Sequence, residues 1–175
     1  IEDYRDIESI NMHQYLKSSG GDLQHFLNVQ KLTARDNGRT PFQWNDSENA
    51  GFTDGISWIK VNPDYKEVNA AAQQRDEDSV LNYFKNLIAM RKYHKTLVYG
   101  KYELLDALNE AVYTYRRRDW QGDFIIMLNF TANVASVNLD LDMAKYVPLI
   151  SNYANPDIRK MELLPYQAVV AKLAH

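Results

Sequence analysis

The chain has 175 residues, enough for one domain with a real core or for one small domain plus part of another. A hydrophobic share of 45%, a charged share of 25% and a net charge of -3 fit an ordinary globular protein. They exclude the global basic field that would argue for nucleic acid or an anionic membrane as partner. Cysteine is absent, which removes disulfides and thiolate metal sites, and no apolar run approaches the roughly 20 residues of a membrane helix. The chain opens on Ile1 in polar sequence rather than on Met, which reads as the cut end of something longer.

In chain order, Asp3 to Leu16 carries a loose helical stripe of Tyr4, Ile7, Ile10 and Met12. Asp22 to Leu32 carries a second, with Leu23, Phe26, Leu27 and Val29, and Gly20-Gly21 stops the first helix before the second begins. From Thr33 to Gln74 no regular period is visible; a loop of that length is usually functional and supported by a larger scaffold. Residues 76–93 predict a helix, capped by Asp76 and striped by Val80, Leu81, Phe84, Leu87, Ile88 and Arg91. That stripe needs a large apolar partner.

After Thr96 the period becomes two. Strands are predicted over Leu97–Leu105, Ala111–Arg117, Asp123–Phe130, Ala135–Leu141, Tyr146–Tyr153 and Lys160–Leu173, with Asp119-Trp120-Gln121-Gly122 turning the second into the third. Short strands joined by turns imply an antiparallel β-sandwich.

The stretch Ala34-Arg35-Asp36-Asn37-Gly38-Arg39-Thr40-Pro41-Phe42-Gln43-Trp44-Asn45 closely resembles a segment of glycoside hydrolase family 13, in the group of oligo-1,6-glucosidase, dextran glucosidase, other α-glucosidases and sucrose isomerases. Three further segments agree in the same order: Asp3 to Asn11, Trp58 to Tyr65, and Asp78 to Phe84. Phe42 stands where the family often has Met, and Asn45 where it often has Asp, which bears on fine substrate preference.

The resemblance implies an α+β fragment: residues 1–95 as the long last βα loop and final helix of a (β/α)8 barrel, and residues 96–175 as a C-terminal antiparallel β-sandwich domain. A loop on the C-terminal face of such a barrel is where these enzymes keep their sites. The implied activity is that of a retaining exo-acting α-glucosidase cleaving α-1,6 or α-1,4 bonds of oligosaccharides. The implied partners are an oligosaccharide substrate and the missing N-terminal barrel, with no cofactor, no metal, no nucleic acid and no membrane; a cytoplasmic location is expected. Two alternatives stay open: a sucrose isomerase, and a non-catalytic relative that keeps the fold as an interaction subunit.

Retaining glycosidases need two carboxyl groups about 5–5.5 Å apart. The family's catalytic motifs do not occur in this sequence, so no catalytic residue is assigned. By resemblance, Arg35 helps an aspartate outside this chain to bind the O4 hydroxyl of the non-reducing-end glucose. A guanidinium suits that task because it offers several donors in a fixed plane and stays charged when partly buried. The competing reading is a structural ion pair, with Asp36 as one partner. Arg39 is a second candidate lining the same pocket, weighed against a salt bridge that holds the loop.

Trp44 and Trp58 could stack on sugar, although loop tryptophans more often anchor by burial. Trp120, in the hairpin turn, is either a sugar platform or an incidental exposed aromatic. Arg116-Arg117-Arg118 reads as a solvated strand end, since alternate residues face opposite ways. His13, His25, His94 and His175 lack metal-ligand spacing. Asn45-Asp46-Ser47 and Asn129-Phe130-Thr131 fit the glycosylation pattern.

Overall fold

The computed structural model describes residues 1–174, in two compact units: Ile1–Asn82, and Tyr83 onward. His175, one of the histidines weighed above, lies outside the described residues.

The first unit begins with helix α1, Ile7–Ser19. Gly20 ends it at φ 74°, a left-handed geometry that glycine adopts without steric cost, and donates its N–H to the Leu16 carbonyl. Helix α2, Leu23–Thr33, starts on Asp22, whose carboxylate accepts from the His25 N–H at 2.9 Å. The long segment that follows is not featureless. It contains 3₁₀ turns at Arg35–Gly38, Glu48–Gly51 and Pro63–Lys66, and a short helix α3, Ala70–Arg75. These pieces are too short to show a period in sequence. Main-chain hydrogen bonds tie them together: Trp44 and Asn45 both donate to the Ala50 carbonyl, and Ala70 and Ala71 donate to the carbonyls of Gln43 and Trp44. The Gln43 side chain adds bonds to Asp64 and to the Val68 carbonyl.

Helix α4 spans Val80–Tyr93, four residues shorter at its start than the sequence suggests. Asp76 does not cap it. Its carboxylate accepts from the Asp78 N–H at 3.0 Å in a preceding turn, and buried Ser79 takes the capping role, accepting from the Asn82 N–H at 3.2 Å.

The second unit holds a five-stranded antiparallel sheet in the order β1-β2-β3-β7-β5 and a two-stranded pair, β4-β6. The strands are β1 Lys101–Leu105, β2 Val112–Arg118, β3 Asp123–Asn129, β4 Ala135–Ser136, β5 Tyr146–Ser151, β6 Glu162–Leu163 and β7 Ala168–Leu173. Five of the six expected strands are therefore shorter, three of them by four residues or more. Thr96–Tyr99 forms a helical turn, α5, before Gly100 and β1. Past Ser136 one more main-chain bond follows, from the Val137 N–H to the Met161 carbonyl at 2.8 Å, and the long final strand is delayed by the 3₁₀ turn Ile158–Lys160 and interrupted by the segment around Pro165.

Alternation along β3 divides the core. Ile125 and Met127 face one side with Val112, Val169 and Ala171, covered by Leu163, Met143 and Ile158. Phe124 and Ile126 face the other with Leu97 and Val170, against Met90 of α4. Strand β3 is buried on both faces, as its unbroken apolar run requires. No helix among the described residues is long and apolar enough to cross a membrane.

Candidate carbohydrate-contacting site

The end of α2 places Arg35. Ala34 leaves the helix in an extended conformation, and the 3₁₀ turn Arg35–Gly38 swings the chain back. Asn37 holds the turn against the helix end, its side-chain amide donating to the carbonyls of Gln30 at 3.2 Å and Lys31 at 3.1 Å. From this corner the Arg35 guanidinium reaches Asp6, with Nε 3.2 Å from Oδ2 and Nη2 2.5 Å from Oδ1. Nη2 also lies 3.0 Å from the exposed carboxylate of Glu8. Asp6 is buried, while the Arg35 side chain keeps 52% of its surface exposed. The Arg35 hydrogen bonds, more than any other cause, hold the Asp6 carboxyl below the usual aspartate range.

The structural partner of Arg35 is thus Asp6, not Asp36. Asp36 is turned elsewhere: its Oδ2 accepts from the main-chain N–H groups of Arg5 at 2.6 Å and Asp6 at 2.9 Å. A cavity of about 340 Å³ opens beside the pair, lined among others by Asp6, Glu8, Ser9, Phe26, Gln30 and Arg35. Ser9 Oγ sits 2.8 Å from Gln30 Oε1 and 3.3 Å from Asp6 Oδ2, so the cavity wall carries a continuous polar rim. Arg35 Nη1 donates to no group among the described residues. The arrangement can offer a fixed, half-solvated cationic edge to hydroxyl groups. Sequence reasoning missed Asp6 as the clamp because it lies 29 positions away and no local period links the two.

Arg39 closes the same turn by its main chain, donating to the Asp36 carbonyl at 2.9 Å. Its side chain is exposed and forms no ion pair among the described residues, so the loop-holding salt bridge is not formed. Trp44 and Trp58 are exposed rather than buried anchors, and Trp44 packs against Phe42 with ring centroids 4.6 Å apart. Trp120 projects from the hairpin turn, 90% exposed.

Of the three arginines of β2, only Arg118 is an exposed strand end; Arg116 and Arg117 are half-buried and engaged. Arg116 forms a two-point contact with Asp123, which pushes its guanidinium pKa up. Arg117 donates to the Gly100 carbonyl at 3.0 Å and lies over the Tyr102 ring, and Arg118 pairs with Glu103 at 3.6 Å. Asn129 is buried, its amide donating to the carbonyls of Asn133 and Leu164 at 2.8 Å, so it cannot carry a glycan in the folded unit. Among the described residues no group of three or more His, Cys, Asp or Glu is placed to hold a metal ion.

The family model for the α-amylase catalytic domain matches residues 5–100, and the chain belongs to that family of glycoside hydrolases. Its relatives sharpen the picture. It is 41% identical to the oligo-1,6-glucosidase of Parageobacillus thermoglucosidasius, over 99% of this chain and 32% of that enzyme. Among solved structures it is similar to the trehalose-6-phosphate hydrolase of Bacillus licheniformis, at 35% identity and TM-score 0.88, over 100% of this chain and 33% of that one. It is also similar to the isomaltulose synthase of Klebsiella sp. LX3, at 36% identity and TM-score 0.81, over 99% and 32%. The chain therefore spans about a third of the length of the relatives it matches.

Proposed function

We propose that this chain supplies the substrate-contacting loop, the last barrel helix and the β-domain of a retaining, exo-acting α-glucosidase that cleaves α-1,6 or α-1,4 bonds of oligosaccharides. A (β/α)8 barrel of the same protein supplies the catalytic carboxylates and covers the apolar stripe of α4. Within this chain, Arg35 binds a hydroxyl of the non-reducing-end glucose, and Arg39, whose exposed side chain lies outside the lining of the cavity beside Arg35, is the second substrate contact.

One observation carries the reading: Arg35 is pinned along one edge to buried Asp6 while Nη1 stays unspent beside a cavity. A guanidinium held this way is oriented before substrate arrives, so less ordering cost falls on binding. The relatives' names support the substrate class, since they act on α-linked glucosides. The likeness to isomaltulose synthase supports a second outcome, sucrose isomerisation, which product analysis separates: glucose from isomaltose against isomaltulose from sucrose.

The test is Arg35→Ala in the complete enzyme. The expected result is a fall in kcat/KM for isomaltose or maltose of at least about tenfold. An unchanged value removes Arg35 from the site.

A further inference from the structure

The segment that presents Arg35 is joined to the start of α1 by a crossed double clamp. Asp6 stands at the N-cap position of α1, but its side chain makes no cap hydrogen bond. That carboxylate is committed to Arg35 instead. The next residue along, Asp36, sends its own carboxylate in the opposite direction, where Oδ2 accepts from the N–H groups of both Arg5 and Asp6. Residue 6 therefore grips residue 35 by its side chain, while residue 36 grips residues 5 and 6 by their main chain. A single contact would leave Asp6 free to pivot. The second one fixes the peptide from which the Asp6 side chain projects, and so fixes where Arg35 is held. Asp36 is 5% exposed, so its two bonds are shielded from competing water, and its charge lies near the positive end of α1.

We infer that Asp36 is a positioning residue for the substrate-binding site: it sets the place of Asp6, which sets the place of the Arg35 guanidinium. This rests on the reading of Arg35 as a substrate-binding group. A group that binds a non-reacting hydroxyl acts mainly on substrate affinity, so losing its alignment raises KM with little change in kcat. A residue acting only through Arg35 has nothing left to contribute once Arg35 is gone.

The experiment is a double-mutant cycle in the complete enzyme with isomaltose as substrate: Arg35→Ala, Asp36→Ala, both together, and Asp36→Asn, with thermal melting as a folding control. Asp36→Ala is expected to raise KM at least about fivefold with kcat held within about twofold. Asp36→Asn, which keeps an acceptor for the two amides, is expected to restore most of the loss. The double variant is expected to match Arg35→Ala alone. If Arg35→Ala has no effect, the reading of the site fails. If Arg35→Ala is impaired while a folded Asp36→Ala is not, the positioning role is overturned. It is also overturned if the Asp36 loss adds in full to that of Arg35→Ala, since that marks general destabilisation. Should Asp36→Ala not fold, Asp36→Ser takes its place in the cycle, its hydroxyl being too short to reach both amides.

Discussion

Asp6 shows at the scale of one residue how position and partner can disagree. By backbone position it stands at the start of α1, yet its carboxylate serves Arg35 rather than the helix. Because the Arg35 contact lowers the Asp6 pKa, its contribution is present above the ordinary aspartate range and is lost as pH falls below about 4. His94 follows the same sign in the second unit. Burial first, and the Lys172 charge second, push its imidazole below the usual histidine value, with Phe124 5.0 Å away. The folded unit favours the neutral ring, so stability is held above the unfolded pKa near 6.5 and declines as pH falls from about 7 towards 5. His94→Gln should flatten that part of a pH–stability curve followed by circular dichroism. A third residue, Thr114, is 1% exposed with no hydrogen-bond partner for its hydroxyl. Thr114→Val keeps the shape and removes the buried polar atom; chemical denaturation should show a gain of about 1 kcal/mol. Arg35 stands out in the sequence as a candidate because it lies in a contiguous motif. Its clamp does not, because the pairing of residues 6 and 35 is a product of tertiary structure.

Among elements, the hairpin β2–β3 was legible almost to the residue, since alternation and a four-residue turn both point to it. Helix α4 was legible in type but not in its start. Asp76 and Ser79 are both good caps, and only the fold shows which carries out the task. Helix α3 and the 3₁₀ turns left no periodic trace, because they are shorter than the periods that would reveal them, whereas the two-residue strands β4 and β6 lie inside longer stretches that read as strand. The junction of α5 and β1 looked like continuous strand for a similar reason: Leu97 and Tyr99 alternate correctly, but the chain coils. Gly100 permits it. A Cβ there would lie 2.5 Å from the Thr96 carbonyl oxygen, and Thr96 is in turn tied to Asp119 at 2.8 Å. Gly100→Ala should therefore lower the melting temperature of the second unit, by an amount corresponding to about 1–3 kcal/mol. Ile125, fully buried in β3, sets the scale for a core loss: Ile125→Ala should cost about 2–5 kcal/mol in denaturant titration.

For the whole molecule, the share of its relatives that it spans governs what it can do alone. With about a third of their length, the 175-residue chain should release no glucose from isomaltose or from a chromogenic α-glucoside; turnover by the purified chain would remove the proposed division of labour. The sheet order carries a different consequence, one for biosynthesis. Strand β7 lies between β3 and β5, although β5 is translated first. A growing polypeptide that has emerged only as far as β5 has no neighbour to offer it, and the margin of β3 stays open as well. Both can zip up only when residues 168–173 leave the ribosome, so this unit closes only after its last strand is made, and stalled products that stop short of Ala168 should be the forms that proteases and chaperones find first.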